Sequence, residues 1–213
     1  MYETVYSGNS PTNDKGITVL TSIKDFAGKN DSLPETDISS ITRYNNRFIQ
    51  QSGESLEIAY FGPQSFNDAS ATTGSVGSVS TLDFSSSGNN YAEFIGTTPG
   101  FFGSRPFDAK VTWTIDNAGS GNVALVAQLD AVPAGSGLTT NTYGPNVSGV
   151  FATPGSGVTQ SDTISFTSAA MDGLRSSSTF KFKLYRDTDA SSDTYTNDIN
   201  IISVSLKESS NID

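Results

Sequence analysis

Apolar and polar residues alternate in short runs along most of the chain, which is the pattern of half-buried β-strands. In FDAKVTWTID (107–116) every odd-numbered residue up to 115 is apolar. In FKFKLYR (180–186), residues 180, 182 and 184 face one way and Lys181, Lys183 and Tyr185 the other. We expect Trp113 to fill the core between two sheets.

About eight strands are predicted between residues 56 and 206. Besides the two runs above, the strand candidates are LEIAYF (56–61), STLDF (80–84), NYAEFIG (90–96), NVALVAQLDAV (122–132), DTISF (162–166) and the last run, which ends at residue 206. NAGSGN (117–122) predicts a hairpin between its flanking strands, and SAAMDGL (168–174) one helical turn. NDASATTGSVGS (67–78) is expected to be flexible and residues 133–160 to be mostly loop. Eight strands with long crossing connections favour an all-β jelly-roll sandwich over an immunoglobulin-like one.

Composition agrees with one main β domain. The chain has 213 residues, of which 35% are hydrophobic and only 16% charged. Short strands joined by polar loops have this composition, whereas a helical bundle has more charged residues. We therefore expect a jelly-roll domain at 55–213 and a separate extension at 1–54.

The charged and reactive residues exclude several functions. The net charge is −10, and the 12 Lys and Arg residues are scattered, so neither nucleic acid nor an anionic membrane is an expected partner. The chain has no Cys and no His, which removes disulfides, Cys/His zinc sites and His-dependent catalysis. Its apolar runs are too short to span a membrane, and the start MYETVYSGNS has no export signal. We expect a soluble, non-enzymatic protein without a cofactor.

Residues 1–54 lack a sustained period of 2 or 3.6. Two hypotheses stay open for this segment: an extended arm that packs on its own domain or on a neighbour, or an N-terminal strand and loops of the same domain. Within it, RYNNRF (43–48) combines arginine with aromatic residues, a composition enriched at protein interfaces. The candidate partner-binding residues are Tyr2, Tyr6, Arg43, Tyr44, Arg47 and Phe48.

Two tyrosines are candidates for glycan contact, because exposed aromatic rings are how lectin-like sandwiches hold sugars. Tyr91 and Tyr143 each lie beside Asn or Gly in a predicted loop region. No pair of carboxylates has a spacing that favours glycoside hydrolysis.

The segment DTDASSDTYTND (187–198) carries four aspartates within twelve residues. Clustered oxygen ligands are typical of Ca²⁺ sites, but the segment lacks the spacing of an EF-hand loop, and turn chemistry is the commoner cause of such composition. We expect Asp187 to pair with Arg186 or Arg175 and no metal to be bound.

Several segments together resemble a β-sandwich module found in virion proteins of tailed bacteriophages. The matching positions are Trp113, 119–122, 163–166, 170–174, Arg186, Asp187, Asp193 and 198–206. The resemblance covers about half the chain and contains no catalytic motif.

The resemblance implies a structural protein on the outer surface of a virion. The leading hypothesis is a capsid decoration or cement protein that binds the major capsid protein or other virion proteins and stabilises the shell, as a homotrimer. The alternative is a receptor- or glycan-binding module of a phage fibre, collar or tail. A cellular or secreted lectin is a third, weaker hypothesis.

Overall fold

The computed structural model describes residues 57–100, 102, 105–133, 135–136 and 141–209, together with the backbone of four short strands before residue 57. The chain divides into two units, Met1–Leu56 and Glu57–Asp213. The first unit contains two antiparallel strand pairs: β1 (Ser22–Lys24) with β2 (Asn30–Ser32), and β3 (Ile41–Tyr44) with β4 (Ile49–Gln51). The sequence had left open an extended arm or one N-terminal strand with loops, and it did not predict these pairs.

The second unit has eleven strands in its described residues. They are β5 (Glu57–Phe61), β6 (Phe66–Ala69), β7 (Thr72–Val76), β8 (Val79–Phe84), β9 (Tyr91–Thr97), β10 (Phe107–Thr114), β11 (Asn122–Val132), β12 (Val147–Ala152), β13 (Gln160–Phe166), β14 (Thr179–Arg186) and β15 (Ile199–Glu208). A 3₁₀ turn, η1 (Ser168–Met171), lies at the predicted helical turn. Eight of these strands coincide with the predicted ones, whereas β6, β7 and β12 lie in segments predicted to be flexible or loop.

The strands form two antiparallel sheets. One has the order β13-β10-β15-β8-β7, with β5 also paired to β15, and the other has the order β12-β11-β14-β9-β6. The chain of this unit passes repeatedly from one sheet to the other, so the unit is an all-β sandwich of the jelly-roll type, and the predicted fold class is confirmed. In the described ranges, no helix is long and apolar enough to cross a membrane.

The predicted hairpin at 117–122 is wrong. β10 and β11 belong to different sheets, and the segment carries the chain between them. The glycines of this segment let its backbone approach the backbone of Tyr195 closely, and they do not form a tight turn. A Cβ at Gly121 would lie 2.9 Å from the Cα of Tyr195. The alternating pattern located both strands but did not show that they are not partners.

The core lies between the sheets and is rich in aromatic residues. Trp113 is fully buried, as predicted, and its Nε1 donates to Asp162 Oδ2 at 2.7 Å. Phe107 and Phe166 stack with ring centroids 4.5 Å apart. Both of these contacts lie within the six-stranded sheet. Between the sheets, Phe61 stacks on Phe94 with ring centroids 4.9 Å apart, and the ring of Phe166 lies 6.1 Å from that of Phe182. The other face of the five-stranded sheet looks outward.

Candidate functional site

The outer face of the five-stranded sheet gathers polar and aromatic side chains in cross-strand rows. The register places Tyr185 opposite Val126 on one side and Tyr91 on the other, and Lys183 opposite Gln128 and Glu93 in the same way. Intervening residues of β14 point into the core, as the sequence predicted. Strand pairing therefore determines which side chains are neighbours on this face.

An open cleft of about 280 Å³ lies on this face. Its described lining consists of side chains with hydrogen-bonding groups, two of them aromatic: Asn89, Tyr91, Gln128, Asn146, Lys183 and Tyr185. The volume is at the lower end of the range of small-molecule sites, which is about 300–1,000 Å³. We call this group of six residues the sheet-face cleft.

Three tyrosines surround the ammonium group of Lys183. Its Nζ lies 4.4 Å from the ring centroid of Tyr91, 5.7 Å from that of Tyr143 and 5.9 Å from that of Tyr185. The structure thus brings together the two tyrosines proposed from sequence and adds a third. Each distance is within the range of a cation–π contact.

Two of these tyrosines also hold carboxylates. Tyr143 donates its hydroxyl proton to Glu93, and Tyr91 donates to Asp68 Oδ2 at 2.8 Å. Burial, and then the hydrogen bond to Glu93, raises the pKa of Tyr143 well above its usual range. The hydrogen bond to Asp68 is the main cause that raises the pKa of Tyr91. Both hydroxyls are therefore fixed as protonated donors.

A buried polar network ties β11 and β14 to residues 141–142, which precede Tyr143 in the chain. Lys181 Nζ lies 3.8 Å from Asp130 Oδ2, and each side chain is only 2% exposed. Lys181 Nζ donates to Asn141 Oδ1 at 2.6 Å, and Thr142 Oγ1 donates to Asp130 Oδ1 at 2.9 Å. These bonds fix the backbone next to Tyr143. They also explain why a lysine on the outer face is covered.

The connection between β14 and β15 holds Asn89, which lines the cleft. Asn89 Oδ1 accepts from the backbone N of Thr188 at 2.9 Å, and Asn89 Nδ2 donates to Asp189 Oδ2 at 3.1 Å. The connection itself is fixed by a buried ion pair, in which Arg186 Nη2 lies 2.7 Å from Asp193 Oδ1. The acidic segment at 187–198 thus has a structural role next to the cleft.

The aspartates of this connection point to different partners. Asp193, and not Asp187 as predicted, is the ion-pair partner of Arg186. Asp198 Oδ1 accepts from the backbone N of Ser86 at 2.7 Å. No group of three or more acidic side chains suited to a metal ion is found in the part of the chain that the structure describes.

The proposed partner-binding residues of the first unit cannot be placed in a site. Tyr2, Tyr6, Arg47 and Phe48 lie outside the described residues. Arg43 and Tyr44 are described only as backbone of β3. Their role in binding another virion protein stays a prediction.

Of the six described residues that line the cleft, Tyr91 alone was proposed from the sequence as a site residue. The other five are Asn89, Gln128, Asn146, Lys183 and Tyr185. The outward alternation in FKFKLYR was recognised, but its polar face was not connected with a binding surface. Joining Tyr185 to Tyr91 requires the pairing of β14 with β9, which alternation alone does not give.

No protein-family model matches the sequence, and no curated protein matches it significantly. Several solved structures have a similar architecture. The CBM36-1 domain of a multidomain xylanase from the hindgut metagenome of Trinervitermes trinervoides is 13% identical, covering 71% of this chain and 97% of that one, with a TM-score of 0.42. The C-terminal CBM6 of LamC, a marine laminarinase from Zobellia galactanivorans, is 13% identical over 73% of this chain and 100% of its own, with a TM-score of 0.39.

A carbohydrate-binding module from Cellvibrio mixtus lichenase 5A, solved with cellotriose, is also similar. It is 12% identical over 72% of this chain and 99% of its own, with a TM-score of 0.40. At these TM-scores the similarity shows neither a shared family nor a shared ligand.

Proposed function

We propose that the sandwich is a non-enzymatic carbohydrate-binding module and that it binds its glycan in the sheet-face cleft. The observation that carries the proposal is the convergence of two tyrosine rings, three side-chain amides and the ammonium of Lys183 in one open cleft, with the ring of Tyr143 beside that ammonium. Sugars present C–H faces that pack on aromatic rings and hydroxyl groups that exchange hydrogen bonds with amides. The cleft offers both kinds of group on strands and braced loops.

The hydrogen-bonding capacity of the cleft favours a ligand with many hydroxyls. Asn146 Nδ2 donates to the hydroxyl of Tyr185 at 3.1 Å, which leaves the tyrosine proton for an external acceptor. Gln128 Nε2 donates to the backbone O of Gly144 at 3.4 Å, and its carbonyl oxygen can accept. A pyranose ring can satisfy such alternating donors and acceptors together.

The acids near the cleft favour binding over hydrolysis. Glu93 and Asp68 are engaged by tyrosine hydroxyls, and neither lines the cleft. Glycoside hydrolysis uses two carboxyl groups that flank the scissile bond. The described residues of the cleft supply no such pair.

The virion context remains our hypothesis from the sequence resemblance. A glycan-binding module suits the receptor-binding part of a phage fibre, collar or tail, which was the alternative proposed from sequence. Capsid decoration, homotrimer formation and contact with the major capsid protein also stay hypotheses from the resemblance, and the candidate partner-binding residues for them lie in residues 1–54.

The test uses two tyrosine variants of the full chain. Tyr185→Ala removes a ring of the cleft, whereas Tyr60→Ala removes a 60% exposed ring from β5 in the other sheet. Affinity electrophoresis in gels containing a panel of neutral and acidic polysaccharides identifies a ligand. Isothermal titration calorimetry then measures the affinity for its oligosaccharides.

We expect Tyr185→Ala to weaken binding at least about tenfold, equivalent to about 1.4 kcal/mol, while Tyr60→Ala binds like the wild type. Absence of binding to every glycan, or equal binding by the wild type and Tyr185→Ala, would contradict the proposal. Thermal unfolding of each variant verifies that the fold is intact.

A further inference from the structure

The ammonium group of Lys183 lacks the carboxylate partner that strand pairing offers it. Lys183 and Glu93 are directly opposite on neighbouring strands, a position where opposite charges ordinarily pair. Glu93 instead accepts the hydroxyl of Tyr143, and the ammonium lies over the ring of Tyr91. The two ion pairs found among the described residues join other side chains.

Lys183 is also the only charged residue among the described residues that line the cleft. Among the described residues no carboxylate forms an ion pair with this ammonium: Asp130 pairs with Lys181, and Asp193 pairs with Arg186. Its ammonium therefore meets the cleft with protons available for a ligand. A ligand carboxylate would form a charge-assisted hydrogen bond, which is stronger than the contact with a partly exposed tyrosine ring.

We propose that the glycan is acidic, and that a uronate carboxylate binds Lys183 while the sugar hydroxyls meet the surrounding amides and tyrosines. This proposal rests on the proposed function and names its ligand class. Lys183 Nζ covers one face of Tyr91, so a neutral sugar that stacks there must displace the ammonium. A uronate carboxylate can instead bind the ammonium in the position that it occupies over Tyr91.

The net charge of −10 does not oppose this assignment at physiological salt. Charges more than about 8 Å from the ligand are largely screened at 0.15 M ionic strength. The contact made by Lys183 within the cleft therefore outweighs distant surface acids.

The experiment compares hexasaccharides of galacturonate, of alginate and of glucuronate with their carboxyl-reduced forms, which keep length and linkage but lose the charge. Sulfated neutral hexasaccharides form a third arm. Calorimetry at 0.15 M NaCl is run on the wild type, Lys183→Gln, Lys183→Arg and Lys110→Gln. Lys110 is exposed on β10 of the other sheet, so its variant loses the same charge away from the cleft.

We expect the wild type to bind at least one uronate hexasaccharide about tenfold or more tighter than its reduced form. Lys183→Gln should lose that preference, Lys183→Arg should keep most of it, and Lys110→Gln should match the wild type. Tighter or equal binding of the reduced forms, a preference that survives in Lys183→Gln, or binding confined to sulfated sugars would overturn the assignment.

The outcomes separate the two proposals. If the reduced hexasaccharides bind as tightly as the uronate forms or more tightly, and Tyr185→Ala abolishes that binding, carbohydrate binding stands and the acidic ligand is wrong. If no hexasaccharide or polysaccharide binds to the wild type, both are wrong.

Discussion

The buried ion pair between Arg186 and Asp193 gives the sharpest stability prediction. The two side chains are 0% and 4% exposed, and Arg186 Nε also donates to Asp193 Oδ2 at 2.9 Å. Asp193 Oδ2 further accepts the backbone N of Ala124 at 3.0 Å. In the variant Asp193→Ala, the guanidinium stays buried without its counter-charge, and a backbone donor of β11 loses its acceptor.

The expected loss in the free energy of unfolding follows from the unpaired guanidinium of Arg186 that Asp193→Ala leaves buried. Removing one partner of a buried pair costs about 3–5 kcal/mol, because the remaining charge is uncompensated. Domains of ordinary stability unfold with about 5–15 kcal/mol, so Asp193→Ala should lose a large share of its free energy of unfolding. At about 2–4 °C per kcal/mol for a domain of this size, Tm should fall by about 10 °C.

Urea denaturation measures the effect through Trp113, which is the single tryptophan and is fully buried. Asp189→Ala is the matched control, since it removes an exposed aspartate from the same connection. We expect the control to lose less than about 1 kcal/mol. Equal losses in the two variants, or a loss below about 1 kcal/mol in Asp193→Ala, would refute the account of the ion pair.

Two further predictions concern packing and pH. Gly121→Ala should destabilise the fold by about 1–3 kcal/mol, because the added Cβ would lie 2.9 Å from the backbone of Tyr195. In the control Gly62→Ala, the added Cβ would meet only a side-chain oxygen, at 3.7 Å. Urea denaturation should therefore show almost no change in the control. Tyr143→Phe should make stability less sensitive to alkali. The folded pKa of Tyr143 is raised above the unfolded value of about 10, so its contribution is complete below that pH and is lost as the pH rises above it. Urea denaturation at pH 9 and 10.5 should show a smaller loss in Tyr143→Phe than in the wild type, and equal losses would contradict the assigned cause.

Period-2 alternation predicted the strands whose inward residues are large and apolar. β10 and β14 were located to within a residue or two because their phenylalanines, leucine and tryptophan face a common core. β7 (TTGSV) and β12 (VSGVFA) were missed, because they lie at the edges of the sheets and contain Gly and Ser. Pairing with a neighbour, rather than burial, makes these segments strands.

A bulge limited the prediction of the last strand. Strict alternation would place Ile202 on the same inward face as Val204 and Leu206, but the register shifts opposite Thr112 and Trp113. Ile201 is buried in its place and Ile202 is only partly covered. A single inserted residue reverses the alternation on one side of the bulge, and nothing in INIISVSL shows where it lies.

The candidate site was predictable only in part, because strand pairing brings its residues together. Tyr91 and Tyr143 could be proposed as aromatic residues in polar surroundings. Their meeting around Lys183 depends on the pairing of β9 with β14 and on the network beneath residues 141–146. Both are long-range contacts, which local sequence does not encode.

The central claim is that the outer face of the five-stranded sheet binds a glycan. The most direct test is a ¹H–¹⁵N correlation spectrum of the labelled full chain, titrated with the tightest-binding oligosaccharide. The account predicts that shifted amide resonances cluster at residues 89–91, 126–128, 143–146 and 183–185. Shifts confined to the outer face of the other sheet or to residues 1–56, or no shifts at all, would contradict it.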